Sequence, residues 1–208
     1  MTDDAPLAHA DPFKQTLLER LRGQRADLLS KLDGLGEYDV RRPLTPTGTN
    51  LLGLVKHVAS VQAEYLGEVF GRPSGIAMPW MDAEPDDDLW VPAEQSRAEI
   101  VALHHASAAH ADATVAALPL DAAGEVPWWR EGNRRVTLHQ VLVHVSLETA
   151  RHAGHADVLR EGVDGAAGQR PGDANVTGRD AGQWTAHRER IEAAAREAAR
   201  QAGEALAG

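Results

Sequence analysis

The chain has 208 residues, 43% of them hydrophobic, which suits one domain with a sizeable core, alone or with an appendage. Its formal net charge of −10 argues against a general nucleic-acid binder, which needs Lys and Arg to neutralise phosphates, and against adhesion to an anionic membrane. Cysteine is absent, so disulfides, thiolate metal ligands and a protein thiol nucleophile are excluded.

Residues 1–11 are polar and acidic and lack the basic and apolar regions of a signal peptide. No apolar run approaches a membrane span, so a cytoplasmic location is expected. Ala and Leu dominate, which favours helices, and caps and periodicity predict five of them. The first opens at Asp11-Pro12, an N-cap with Pro at N1, carries Leu17, Leu21, Leu28 and Leu32, and stops near Gly34. The second opens near Thr49-Asn50 and repeats Leu51, Leu54, Val55, Val58, Val61 and Tyr65 at helical spacing. Residues 71–92, with four Pro and the acidic run Asp86-Asp87-Asp88, read as a long surface loop, either a lid or a solvated connector. The third helix is expected over residues 93–118, and a loop containing Trp128-Trp129-Arg130 follows it. The fourth begins at a Thr137/Gln140 capping box and runs to Gly162. After a Gly-rich stretch, Asp180 and Gln183 form another capping box that opens an Ala-rich, charged last helix. The expected division is a four-helix bundle over residues 11–162. Residues 163–208 follow as a polar linker and a C-terminal helix, packed on the bundle or projecting from it.

The chemistry concentrates on the fourth helix, which reads His144-Val-Ser-Leu-Glu148-Thr-Ala-Arg-His152-Ala-Gly-His155. Residues four apart on a helix lie one above the other, so Glu148 and His152 point the same way and suit chelation of one divalent ion. His57, set among Leu54, Val58 and Val61 on the second helix, is the third candidate ligand. A metal on one of its nitrogens and an acceptor on the other would satisfy it. On spacing alone the alternatives stay open, because Glu and His four apart also make an ordinary surface pair, and a His among apolar residues is often a hydrogen-bonded core residue. His144 and His155 each stand one turn from the pair, as outer partners or competing ligands. His104, His105 and His110, on the Ala-rich helix, are expected to be partly exposed and without chemistry. Glu64, seven residues after His57, is expected to have a solvated or supporting role.

Three stretches carry a resemblance: Gly48-Thr-Asn-Leu-Leu-Gly-Leu-Val-Lys-His57, Trp128-Trp-Arg-Glu-Gly-Asn-Arg-Arg-Val-Thr-Leu, and Glu148-Thr-Ala-Arg-His-Ala-Gly-His-Ala-Asp-Val-Leu-Arg-Glu161. With the tail segments Arg170-Pro-Gly-Asp and Thr177-Gly-Arg-Asp, the chain from about residue 11 to 195 resembles the DinB-like metal-binding superfamily, in its actinobacterial branch of thiol-dependent transferases. Many members carry three His. The Glu at position 148 instead resembles the mycothiol-dependent maleylpyruvate isomerases, whose zinc set is His, Glu and His. The resemblance implies an all-α, DinB-like four-helix bundle with an additional C-terminal helix. It also implies one divalent metal, zinc or else nickel, on His57, Glu148 and His152, with mycothiol as cosubstrate.

Three protein ligands leave a position open, the mark of a catalytic site. With the mycothiol that the resemblance implies, the expected function is S-transfer to a small electrophile, toxic or biosynthetic, or a thiol-assisted isomerisation, with the metal activating the thiolate. The aromatic and basic loop bearing Trp129, Arg130 and Arg135 would grip the cosubstrate, or else cap the core. The alternatives are a metal-dependent hydrolase using metal-activated water and a non-enzymatic metal-binding protein. The expected partners are a small-molecule thiol and an electrophile, with no nucleic acid and no membrane, acting on a monomer or homodimer.

Overall fold

In the computed structural model residues 11–170 and 172–205 are described. The acidic residues 1–10 noted above lie outside them, as do residues 171 and 206–208. The chain divides into two compact units, Met1–Pro171 and Gly172–Gly208.

The first unit is built on α1 (Pro12–Ser30), α2 (Glu37–Arg41), α3 (Leu51–Tyr65), α4 (Arg97–Ala117) and α5 (Leu138–Asp164). Four of these are long and form an all-α bundle in which α3 packs on α4 and α5, and α1 packs on α5 and α4. The caps explain the boundaries. Asp11 accepts from the backbone N–H of Phe13 and Lys14. Asn50 accepts from Gly53 N at 2.8 Å. Reciprocal capping boxes open α4 at Ser96/Glu99 and α5 at Thr137/Gln140. The third helix therefore starts at Arg97, four residues later than expected, because Ser96 takes the orphan N–H of Glu99 and so marks the boundary.

Two features escaped the sequence reading. The five-residue α2 is too short to show a period. Within the loop after α4, β1 (Ala123–Glu125) pairs antiparallel with β2 (Arg135–Thr137), placing Gly124 opposite Val136. This small hairpin turns the chain at the mouth of α5. The long loop of residues 71–92 contains two 3-10 turns, Pro79–Asp82 and Asp87–Leu89.

The core explains why α3 is central. All its residues are buried except His57, Val61 and Glu64, which recur at i, i+4 and i+7 and so form one stripe. Leu51, Leu52 and Leu54, with Leu28 of α1 and Ile100 of α4, fill one apolar cluster. Tyr65, with Leu21, Leu138, Leu142 and Val145, lies in the other. Each such Leu contributes roughly 1.5–3 kcal/mol on burial. His57 on this partly buried stripe faces α5.

The second unit holds α6 (Ala181–Ala202), capped by an Asp180/Gln183 box and ended by Gly203 at φ 73°. None of its residues is buried; ion pairs such as Arg196–Glu192 and the Arg179 guanidinium over the Trp184 ring lie along it. Among the described residues no helix is long and apolar enough to cross a membrane.

Candidate metal centre

His57 on α3 faces Glu148 and His152 on α5, while Tyr65, two turns further along α3, meets His144, one turn before Glu148. The two helices therefore run antiparallel, and their facing polar stripes meet. Glu148 Oε1 lies 2.9 Å from His152 Nε2 and 3.8 Å from His57 Nε2. The imidazole rings stand edge to face with centroids 4.6 Å apart. One potential ligand atom from each of the three side chains lies within 4.8 Å of the others, a group that could hold a metal ion. Donor atoms around a tetrahedral zinc stand roughly 3.3 Å apart, from bond lengths of about 2.0–2.1 Å. The 2.9 and 3.8 Å separations bracket that value, and the mixed imidazole and carboxylate donors suit zinc or nickel, so the residues fit a small divalent cation.

The protonation states also fit. Burial alone would raise the Glu148 pKa, but the hydrogen bond from His152 and electrostatic interactions with His152, His57 and Arg151 outweigh it and lower the value. Burial, reinforced by His57, lowers the His152 pKa against the opposing pull of Glu148. An ionised carboxylate and a neutral imidazole are the forms that bind metals.

A side chain missed in the sequence reading orients His57. His57 Nδ1–H donates to Asp88 Oδ2 at 2.5 Å, which leaves the Nε2 lone pair turned toward Glu148. That hydrogen bond is the leading cause of the lowered Asp88 pKa, only partly offset by burial. Asp88 belongs to the acidic run that read as a lid or solvated connector. The loop bearing it is pinned to α3 from two sides. Asn50 Nδ2 donates to Leu89 O at 3.2 Å. Lys56 Nζ donates to Asp87 O at 2.7 Å and Trp90 O at 3.0 Å, and lies over the Trp80 ring. Gly53 permits the close approach, since a Cβ there would fall 1.9 Å from Leu89 O. No spacing in the sequence pairs Asp88 with His57, 31 residues away.

The other candidates are placed as follows. His144 stands against the rings of Tyr65 and Trp129, at centroid distances of 4.9 and 5.1 Å, apart from the three converging side chains. His155 is exposed, with its ring 5.4 Å from that of His152. Glu64 is partly buried, and burial followed by the carboxylates of Asp88, Asp82 and Glu68 raises its pKa. Trp129 is partly buried and donates its indole N–H to Tyr65 Oη at 2.8 Å. Arg130 and Arg135 are exposed, the latter on β2. His105 is exposed and His110 is partly buried, with its Nε2 at 2.7 Å from Arg72 O. The expectation for His104 was wrong: it is only 1% exposed. The many Ala on α4 hid which of its faces turns inward.

No curated protein matches the sequence. The family model described as Mycothiol-S-transferase matches residues 16–165, in agreement with the resemblance read from the residues. That match runs from the second turn of α1 through the end of α5, and the chain belongs to the mycothiol-S-transferase family.

Proposed function

We propose that this protein transfers mycothiol to small electrophiles, using one divalent metal, zinc in the first instance, held by His57, Glu148 and His152. The observation that carries the reading is the convergence of these three side chains on the α3/α5 seam in a member of this family. A divalent cation at this place supplies Lewis acidity and favours the thiolate form of a bound thiol. The chain has no sulfur nucleophile of its own, which suits a reaction whose sulfur arrives on a cosubstrate.

Each residue then has a task. Glu148 contributes negative charge to the cation. Asp88 fixes the tautomer of His57 and so aims Nε2 inward. Trp129, Arg130 and Arg135 form the aromatic and basic loop that binds the sugar and acyl portions of the thiol cosubstrate, next to the seam. The reaction would proceed in the cytoplasm, where this thiol pool would be at hand. The test compares conjugation rates with mycothiol and a panel of electrophiles in metal-loaded and chelated protein, with metal content measured on the same samples. Loss of conjugation on chelation and recovery on reloading are expected. Full activity in metal-free protein would overturn the reading.

A further inference from the structure

The Tyr65 hydroxyl is engaged in an unusual way. It accepts the indole N–H of Trp128 at 2.9 Å and that of Trp129 at 2.8 Å. A phenolic oxygen has two lone pairs, so both are used, and its own proton finds no acceptor among the described residues. Tyr65 as a whole is only 9% exposed. Two donors pointed at one oxygen polarise its O–H bond and strengthen it as a donor.

Its position matters as much. Tyr65 ends α3, and helical side chains lean toward the N-terminus, here back along the stripe that bears Val61 and His57. Its ring packs on His144 with centroids 4.9 Å apart. His144 precedes Glu148 by one turn, roughly 6 Å along the axis. The Tyr65 ring therefore lies on the α3/α5 contact, about one helical turn from Glu148.

We propose that the Tyr65 hydroxyl is a catalytic hydrogen-bond donor to an oxygen of the electrophile, and that the site is built for α,β-unsaturated carbonyl compounds. The inference rests on the S-transferase reading. In the step, the thiolate electron pair forms a C–S bond at the β carbon. The C=C π pair shifts, and the carbonyl oxygen gains negative charge as an enolate. Tyr65 donates a hydrogen bond to that oxygen and keeps its proton. The enolate carbon takes one proton from solvent, matching the proton the thiol released on ionising. An alkyl halide expels its charge as halide and has no use for this donor.

The experiment compares cyclohex-2-enone with benzyl chloride as electrophiles for mycothiol, in wild type and Tyr65→Phe. The enone-to-halide ratio of kcat should fall on the order of 100-fold, as when a single oxyanion donor is removed. Trp128→Phe removes only one of the polarising donors from a half-exposed position, and should lower the same ratio by a few-fold. A separate readout uses metal-free protein. Fluorescence of the adjacent indoles reports binding of cyclohexanone, which cannot react, and Tyr65→Phe should weaken it several-fold. An unchanged kcat ratio together with unchanged cyclohexanone binding would overturn the proposal and leave Tyr65 a packing residue. If neither electrophile is conjugated by metal-loaded wild type, the S-transferase reading fails, while the cyclohexanone titration still decides whether Tyr65 donates to a carbonyl.

Discussion

His57 and His104 lie on α3 and α4, two helices that pack together, and the difference between them separates a site from a core. His104 is the more deeply buried, yet it has no carboxylate beside it. Burial lowers its pKa to about 3, and the positive charge of Arg25, with His105, pushes the same way. Arg25 itself is paired through Nη1 with Asp112 at 2.5 Å. Both nitrogens of His104 and the hydroxyl of Ser107, one turn on, lack hydrogen-bond partners among the described residues. His57 keeps 18% of its side chain exposed and stands between Asp88 and Glu148. A cation is repelled at His104 and attracted at His57. Burial of an imidazole is thus a poor guide to ligation; the charge of its neighbours decides.

The comparison breaks most sharply at the carboxylate. Glu148→Gln keeps the shape and removes the charge, while His152→Ala removes a donor outright. Both should reduce metal affinity by more than the roughly 100-fold that loss of an outer partner costs. His144→Ala, His155→Ala and His104→Ala should all retain metal. Metal content of the purified variants after dialysis against a weak chelator gives the answer. A His152→Ala protein that binds normally, beside a His144→Ala protein that does not, would shift the centre one turn along α5.

The next effect is that of Asp88. Asp88→Asn leaves a weaker acceptor at His57 Nδ1 and should cost about 10- to 100-fold in metal affinity. Gly53→Ala should act in the same direction without touching the site, since its Cβ would collide with the Leu89 carbonyl and displace the turn carrying Asp88. Competitive metal titration of both variants tests this. Wild-type affinity in Asp88→Asn would mean that the orientation of His57 comes from packing alone.

The sequence carried the bundle well because its signals are local. Asp11-Pro12, the Thr137/Gln140 box and the i, i+4 pair of Glu148 and His152 all act within one or two turns. The three residues of the candidate site were legible for the same reason. Glu148 and His152 share a helix, and His57 stands out in an apolar run. What stayed hidden depends on contacts between distant segments. Asp88 reaches His57 only because Lys56, Asn50 and Gly53 hold the loop down, and Tyr65 gains its two indole donors from a loop that the hairpin returns to the end of α3. His104 was misjudged for a related reason. In a helix made largely of Ala the apolar period is weak, and the neighbours on α1 and α3 decide which side is covered.

The third effect lies at His104 and depends on pH. Its imidazole remains neutral in the fold down to about pH 3, whereas in the unfolded chain it titrates near pH 6.5. Between these values the unfolded chain binds the extra proton. The contribution of this group is therefore flat above pH 6.5 and falls on acidification, by about 1.4 kcal/mol per pH unit. His104→Leu should flatten the acid side of the stability curve. Urea denaturation of chelated wild type and variant between about pH 7 and pH 4 isolates the difference, because the other carboxylates and His152 are common to both. Parallel curves would show that His104 is solvated or partnered in solution.

The smallest effect should come from Ser107→Ala. The hydroxyl is fully buried, one turn from His104, and its Oγ has no hydrogen-bond partner among the described residues. An unpaired buried hydroxyl has lost its hydrogen bonds to water and regained nothing, so removing it relieves a desolvation cost. Against that gain stands the void left by one oxygen atom, which is small because Ala keeps the Cβ. Ala also has the better helix propensity, by a few tenths of a kcal/mol. The terms nearly cancel, with a lean toward stabilisation, and the net change should stay within about 0.5 kcal/mol. The midpoint of urea unfolding at neutral pH measures it. A loss well above 1 kcal/mol would mean that Ser107 has a strong partner in solution, and that the polar residues around His104 form a satisfied network rather than the unpaired counterpart of the candidate metal centre.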